Sequence, residues 1–368
     1  MSGSKYLEKF DAIVKSFSRA DRIALCHDLD ADGLSSAAVA FNAIKLLRGK
    51  GPDLVITQRF KTVQLLPESV ELLKRKKIQK LIVVDFALDQ KPESIAQAKK
   101  AMGPKGQIIV IDHHKKYGAK QPENVFILKP QDFSKIEPSR YPCAKLSYDL
   151  FSRHVGLSKS SWLACVGLIG DNQIKKWKPF VKSEARRHKT GIKELLGVME
   201  IISAVEVLSP RKLASLLRLL IKAKGPRQVL KSKFAKYAKL LDGQVKKLYR
   251  QFNSEKEIHP EQSLVWFAFK SRHNIKSAVI NRVSNRLYPD KTVIFVQDRG
   301  DGYISFSARN QSFKVKTNEL LERAVKGFEN AGAGGHVPAS AGRIMKKDLP
   351  AFKRRVLEFL RGGRFSQR

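Results

Sequence analysis

Cysteine is scarce. Cys26, Cys143 and Cys165 are the three in 368 residues, and no CxxC pair occurs. That argues against a disulfide framework or a structural zinc site and fits a reducing cytoplasm. No apolar run approaches the ~20 residues of a membrane-spanning helix, and Met1–Phe10 lacks the apolar stretch of a secretory signal. The GxxxxGK[ST] sequence is missing, so nucleotide-driven motor chemistry is not indicated. Neither an internal repeat nor a low-complexity segment is present. Acids are also few: 34 Asp and Glu stand against 71 Lys and Arg, a formal net charge of +37. Such a chain repels itself and attracts polyanions. Nucleic acid is the expected partner, because phosphate contacts dominate that affinity; a generally basic, ribosome-associated chain is the bland alternative. A membrane partner fits poorly, since the cations spread along the whole chain rather than along one short helix. Hydrophobic residues make up 42%, enough for real cores.

The pattern predicts an α/β chain of two units with helices between. Short strands apolar on both faces fall at Arg22–Cys26, Leu81–Phe86, Gln107–Ile111 and Val125–Leu128, alternating with amphipathic helices at Leu34–Leu47, Glu68–Lys77 and Glu93–Ala101. That order implies a mainly parallel open sheet flanked by helices. From Lys176 to Glu255 the chain reads as successive helices carrying 20 Lys and Arg against 6 Asp and Glu, either an electrostatic track or ordinary solvated faces. Strands return at Ser263–Phe269, Thr292–Gln297 and Tyr303–Ala308, the last two joined by a turn at Asp298–Gly302. Helices at Ile275–Leu287, Glu319–Phe328 and Leu349–Leu360 surround them. The expected division is a catalytic domain over 1–175, a basic helical connector over 176–255 and a smaller α/β domain over 256–368, the two α/β units closing on a cleft.

In a chain this cationic, clustered acids are informative. Asp28, Asp30 and Asp32 lie within five residues, after a strand and before a helix. Three carboxylates at one strand end repel one another unless a cation sits among them; helix capping by Asp32 explains one acid and not three. Asp85 ends an apolar strand, weak evidence alone. Asp112-His113-His114 follows the next strand, and adjacent imidazoles beside a carboxylate suit manganese, iron or zinc. Asp171 ends an apolar helical run from Trp162 and is, taken singly, equally a C-terminal turn. Jointly, these ends supply donors for two metal ions sharing a carboxylate, an arrangement that activates water for phosphoryl transfer.

These residues resemble the DHH phosphoesterase superfamily. Asp112-His113-His114 matches its named motif, and Asp28-Leu29-Asp30-Ala31-Asp32-Gly33 is similar to the DxDxDG of RecJ-type exonucleases. Asp85 and Asp171 fit the second and fourth motifs. Gly334-Gly335-His336 resembles the GGH of the companion DHHA1 domain, and Ser307-Ala308-Arg309-Asn310 its arginine-bearing strand. The resemblance implies two Mn²⁺ ions, with Mg²⁺ as a possible substitute. Asp30 would hold one ion and Asp32 the other. Asp85 would bridge them, and His113 and Asp171 would complete the second site. His114 would contact or protonate the scissile phosphate, supported by Asp112. Asp28 matches an extra acid of RecJ-type members. Many members carry a histidine where this chain has Cys26; either His27 reaches the metal instead or Asp28 replaces it.

In the second unit, Gly332, Gly334 and Gly335 would leave backbone N–H groups free to form an anion nest. Arg309, Asn310 and His336 would add phosphate contacts. Trp177, Trp266 and Tyr303 are candidates for base stacking and equally for the core; Lys115 and Lys116 are candidates for phosphate contact and equally surface lysines. The expected function is a cytoplasmic RecJ-like exonuclease that cuts single-stranded DNA or RNA from an end to nucleoside monophosphates, with replication or repair proteins as possible partners. The alternative is a nanoRNase or cyclic-dinucleotide phosphodiesterase. A pure scaffold and a family II pyrophosphatase fit less well.

Overall fold

Strands that are apolar on both faces are stable only where helices cover both sides of their sheet. The computed structural model, which describes residues 3–117 and 122–362, builds such a sheet first. Its elements run α1 (Gly3–Lys15), β1 (Ile23–His27), α2 (Ala31–Arg48), β2 (Leu54–Thr57), α3 (Pro67–Arg75), β3 (Lys80–Val84), α4 (Pro92–Met102), β4 (Gln107–Ile111), β5 (Val125–Leu128), α5 (Cys143–Ser152) and α6 (Ser161–Gly170). All pairings are parallel, in the order β2-β1-β3-β4-β5. Chain order therefore reverses between β1 and β3. In open α/β sheets, ligands bind beyond the strand C-termini at such a point.

Helix α2 is buried almost all round its first three turns, from Ala31 to Ala40. Its run of Ala, Ser and Gly residues keeps it thin enough to pack against α5 and α6. Asp30 caps its start, accepting a hydrogen bond from the Gly33 amide at 3.0 Å, and Gly49 closes its end with φ 75°. Gly33 is required where the strand turns into the helix. A Cβ there would lie 2.5 Å from the Asp28 carbonyl oxygen.

Helices α7 (Lys178–Arg187), α8 (Ile192–Leu208), α9 (Leu213–Lys222) and α10 (Pro226–Leu230) follow. The chain divides into two units at Ala238 and Lys239, and α8 and α9 pack within the first, against α6 and α2. Helix α11 (Ala235–Glu255) carries the chain into the second unit. That unit holds β6 (Glu257–His259), β7 (Leu264–Lys270), α12 (Lys276–Arg286), β8 (Thr292–Asp298), β9 (Tyr303–Arg309), α13 (Thr317–Val325), β10 (Gly332–His336), β11 (Ala339–Met345) and α14 (Leu349–Arg361). Its sheet runs β10-β11-β9-β8-β7-β6, with only β7 and β8 parallel. Trp266, Phe306 and Phe352 fill its core, so Trp266 is not a stacking platform.

The sequence reading recovered most elements and missed several. β2 is a four-residue edge strand, too short for a period to declare itself. β10 contains three glycines, which lower strand propensity; it forms because it pairs with β11. The Gly332–His336 segment is thus an extended edge strand and not the expected nest, which needs consecutive residues in helical conformations of opposite hand. Gly335 alone has positive φ, 138°, and a Cβ there would meet the Ala339 carbonyl at 2.6 Å. All three cysteines are buried and free, and no helix of the described residues is long and apolar enough to cross a membrane.

Arg48, at the end of α2, staples the first unit. Its enclosed guanidinium donates to the carbonyls of Ser18 at 3.1 Å, Arg19 at 3.3 Å, Gly51 at 3.2 Å and Asp21, and pairs with Asp53 at 3.1 Å. Arg48→Ala leaves several carbonyls and one carboxylate unpaired, and chemical denaturation should record a loss of about 3–5 kcal/mol. Lys50→Ala, which removes the exposed partner of Asp53, should cost under about 1 kcal/mol.

Candidate metal centre

Four strand and helix ends deliver their side chains to one place. β1 ends at His27 and releases Asp28 and Asp30; β3 ends at Val84 before Asp85; β4 ends at Ile111 before Asp112, His113 and His114; α6 ends at Gly170 before Asp171. His113 Nε2 lies 3.3 Å from Asp85 Oδ1, 3.4 Å from Asp171 Oδ2 and 3.8 Å from Asp32 Oδ2. Three overlapping donor groups result, each with its ligand atoms within 4.8 Å: Asp32–His113–Asp171, Asp28–Asp30–Asp85 and Asp85–His113–His114. Asp85 belongs to two of them.

Asp85 is the strained member. The predicted strand Leu81–Phe86 stops short because Asp85 turns into the left-handed region at φ 54°. A non-glycine residue held there costs roughly 1–3 kcal/mol. Its side chain is 2% exposed, and Oδ1 makes no hydrogen bond. Burial, then the nearby Asp30 and Asp171 charges, pushes its carboxyl well above the usual range. Burial and the Asp85 charge do the same to Asp32, although the Cys143 and Ala144 amides donate to Asp32 at 2.6 and 2.9 Å. Asp32 thus caps α5, not the helix in which it lies. Burial raises Asp171 and Asp28 too. His113 is held above its usual value because Asp32 and Asp171 outweigh the burial that opposes its charge. An orphaned buried oxygen inside a ring of mutually repelling carboxylates fits a divalent cation. Carboxylates and imidazole without thiolate suit a hard or borderline ion such as Mg²⁺ or Mn²⁺. Cys143 is no ligand: its Sγ donates to the Ile111 carbonyl, and burial keeps the thiol neutral.

Small residues make the convergence possible. A Cβ on Gly167 would collide with Asp32 Oδ1 and the Ala144 side chain, and one on Gly170 would lie 2.9 Å from Ala31 Cβ. The two glycines of α6, three residues apart, let α2 and α5 close on the Asp171 end.

Asp112 is set apart by what neutralises it. Its Oδ1 accepts from His114 Nδ1 at 2.7 Å, and its Oδ2 lies 2.8 Å from Lys129 Nζ. Lys129 is wholly buried and also pairs with Asp89 at 2.9 Å. The His114 bond and the Lys129 charge overcome burial and hold Asp112 well below the usual carboxylate range. The Asp112 bond in turn raises the pKa of His114. His114 remains about half exposed, and its other ring nitrogen makes no hydrogen bond among the described residues.

His27 is not brought to the cluster. It is buried, with Nδ1 2.6 Å from the Asp28 carbonyl and Nε2 2.9 Å from Thr57 Oγ1 of β2, and burial lowers its pKa to about 4. Asn310 is interior as well: its amide donates to Thr292 Oγ1 at 3.1 Å. Arg309, on β9, donates to Asn281 Oδ1 at 2.8 Å. Gly334 and Gly335 lie on β10; His336 ends that strand, and its side chain lies outside the described residues. Trp177 donates to the Arg140 carbonyl at 2.7 Å and has the Lys145 ammonium 4.5 Å from its ring centroid. Lys116 pairs with Asp132. Sequence reasoning missed Lys61, Lys129, Asp89, Glu206 and Lys276. Lys61 Nζ lies 2.7 Å from Asp30 and 3.1 Å from Asp28. Burial lifts Glu206 of α8 to about 7, opposed by the charge of Lys61. Lys276, lowered to about 8 by burial and the neighbouring Arg299 and Arg309, reaches Ser305 Oγ at 3.0 Å.

The DHH family N-terminal domain matches residues 22–166 and the DHHA1 domain matches residues 263–362. The chain belongs to the DHH/DHHA1 phosphoesterase superfamily. Its two domains mark it as a phosphoester hydrolase. No curated protein matches the chain in sequence. Among solved structures, this DHH/DHHA1 protein is similar to a manganese-bound exonuclease RecJ, at 19% identity and TM-score 0.68, over 96% of this chain and 94% of that one. It is similar to RecJ with Mn²⁺ from Thermus thermophilus, at 20% identity and TM-score 0.67, over 97% of this chain and 55% of that one; it spans about half the length of that relative. CDC45 from Entamoeba histolytica shares the fold at 8% identity and TM-score 0.56, over 98% and 99% of the two chains.

The crowding of acids has measurable consequences. Asp85→Asn removes a buried like charge, so the metal-free variant should melt above the metal-free parent in calorimetry. Asp32, Asp85 and Asp171 have folded pKa values above their unfolded ones, and so has His113. The stability they contribute is present at low pH and lost as pH rises through the folded values. The rise in Tm on adding Mn²⁺ to the metal-free chain should therefore grow from pH 5 to pH 8; a rise that shrinks would contradict the assignment.

Proposed function

We propose that this protein is a metal-dependent phosphodiesterase that hydrolyses single-stranded nucleic acid from an end and releases nucleoside monophosphates. The observation that carries the reading is Asp85: a strained, buried carboxylate with an orphaned oxygen, shared between two donor groups. Asp32, Asp171 and His113 would hold one divalent ion, Asp28 and Asp30 the other, with Asp85 common to both. Bound there, two such ions supply an activated water and stabilise charge on the reacting phosphoryl group.

The remaining roles belong to the protein's own side chains. His114, whose pKa the Asp112 hydrogen bond raises, is suited to donate from its free ring nitrogen to the scissile phosphate or its leaving oxygen. Lys129 fixes Asp112 as an anion, so Asp112 accepts from His114 and does not itself supply a proton. In the second unit Arg309 and Lys276 are cations of one neighbourhood that a phosphate would neutralise. Burial lowers the pKa of both, and the charges of Arg299 and Arg309 lower Lys276 further, a penalty an anion would relieve. The overall charge of +37 favours a long polyanion over a small substrate.

The test is digestion of 5′- and 3′-labelled DNA and RNA single strands with Mn²⁺ or Mg²⁺. Mononucleotides released from one end are expected, and their absence from every substrate would reject the proposal. Asp85→Ala should abolish release. His114→Ala should lower kcat by about 10²–10⁴-fold while Mn²⁺ binding persists. Comparable kcat/KM on a dinucleotide and on a strand of about 20 nucleotides, with little salt dependence, would point to a short-substrate phosphodiesterase instead.

A further inference from the structure

One cation already occupies part of the centre. Lys61 comes from the segment between β2 and α3, far in sequence from the acids it meets, and its Nζ reaches Asp30 Oδ2 at 2.7 Å and Asp28 Oδ2 at 3.1 Å. These are two of the three residues of the Asp28–Asp30–Asp85 donor group. An ammonium and a divalent ion cannot both occupy that corner. They draw on the same two carboxylates, and their like charges repel at short range. The lysine side chain is 56% exposed, so it approaches from the surface and can withdraw into water, unlike Lys129, which is enclosed. Only the lysine end of the pair faces water: the Asp28 side chain is 9% and that of Asp30 33% exposed.

We propose that Lys61 is a resident counter-cation that competes with a divalent ion for the Asp28–Asp30 corner and, once displaced, presents its ammonium to the substrate phosphate. The inference rests on the metal-dependent reading above and deepens it. The charge of Lys61 holds the acids together before the ion arrives and lies beside the scissile phosphate afterwards. Lysine suits this exchange because its ammonium is a compact point charge on a flexible stem, free of the fixed fork that would tie an arginine to one carboxylate.

Mn²⁺ titration by electron paramagnetic resonance, with the parent and Lys61→Met, tests the competition. In the variant, one of two dissociation constants should fall about tenfold while the other stays put. The metal-free variant should also melt earlier, since Asp28 and Asp30 lose their counter-charge. With single strands, KM should rise and the slope of log affinity against log salt should shrink by about 0.7, the share of one phosphate contact on a single strand. Equal Mn²⁺ affinities in both proteins overturn the competition, and an unchanged salt slope overturns the phosphate contact. If the parent binds no Mn²⁺, the metal-dependent reading fails and the inference falls with it. Two ions bound alike by both proteins refute the lysine alone.

Discussion

Carboxylates placed together in a protein interior repel one another, and the structure around this centre is arranged to hold them there regardless. Asp32 and Asp85 are almost fully enclosed, Asp85 is bent into the left-handed region, and one of its oxygens has no hydrogen bond. Folding tolerates such an arrangement when the surrounding fold over-determines it, and strain of this kind concentrates at functional sites. The parallel sheet supplies that determination. Its central strands are buried throughout, so their ends are fixed, and the reversal of chain order between β1 and β3 aims those ends at one place.

The basic character of the chain and the acidity of its centre are two parts of one electrostatic design. Long-range attraction for polyanions comes from the many surface cations. Specific chemistry requires a local exception to that field. The structure sorts its acids by what balances them. Asp112 has Lys129 and His114 and is a stable anion. Asp28 and Asp30 have Lys61, an exposed and exchangeable partner. Among the described residues Asp32 has two backbone amides and His113, and Asp85 has His113 at 3.3 Å and the charge of His114. The acids with the least internal compensation are those best placed to receive an external cation.

Most of this was legible in the sequence because parallel strands announce themselves as short apolar runs, and acids immediately after such runs must sit at the sheet's C-terminal edge. Asp28, Asp30, Asp85, Asp112 and His113 were found by that logic, and the resemblance to DHH proteins ordered them. The failures have a common cause: they depend on partners distant in sequence. His27 turns toward Thr57 because it pairs in register with β2, the strand that went unread. Asn310 sits one residue beyond β9, yet its amide is claimed by Thr292. Lys61, Glu206 and Lys276 are ordinary charged residues in a chain full of them, and only folding shows what they face. Lys129 left a faint signal, a cation directly after an apolar strand, which is the same position that marked Asp85. Gly167 and Gly170 read as part of an apolar helix; their role is to be small where Asp32 and Ala31 approach.

The central claim is that separate strand and helix ends converge to hold divalent cations at Asp85. Anomalous diffraction from crystals grown with Mn²⁺ tests it most directly. The account predicts strong manganese peaks within coordination distance of Asp85, one beside His113 and Asp171 and one beside Asp30. A map with no peak at Asp85, from crystals in which the protein is intact and active, would contradict it.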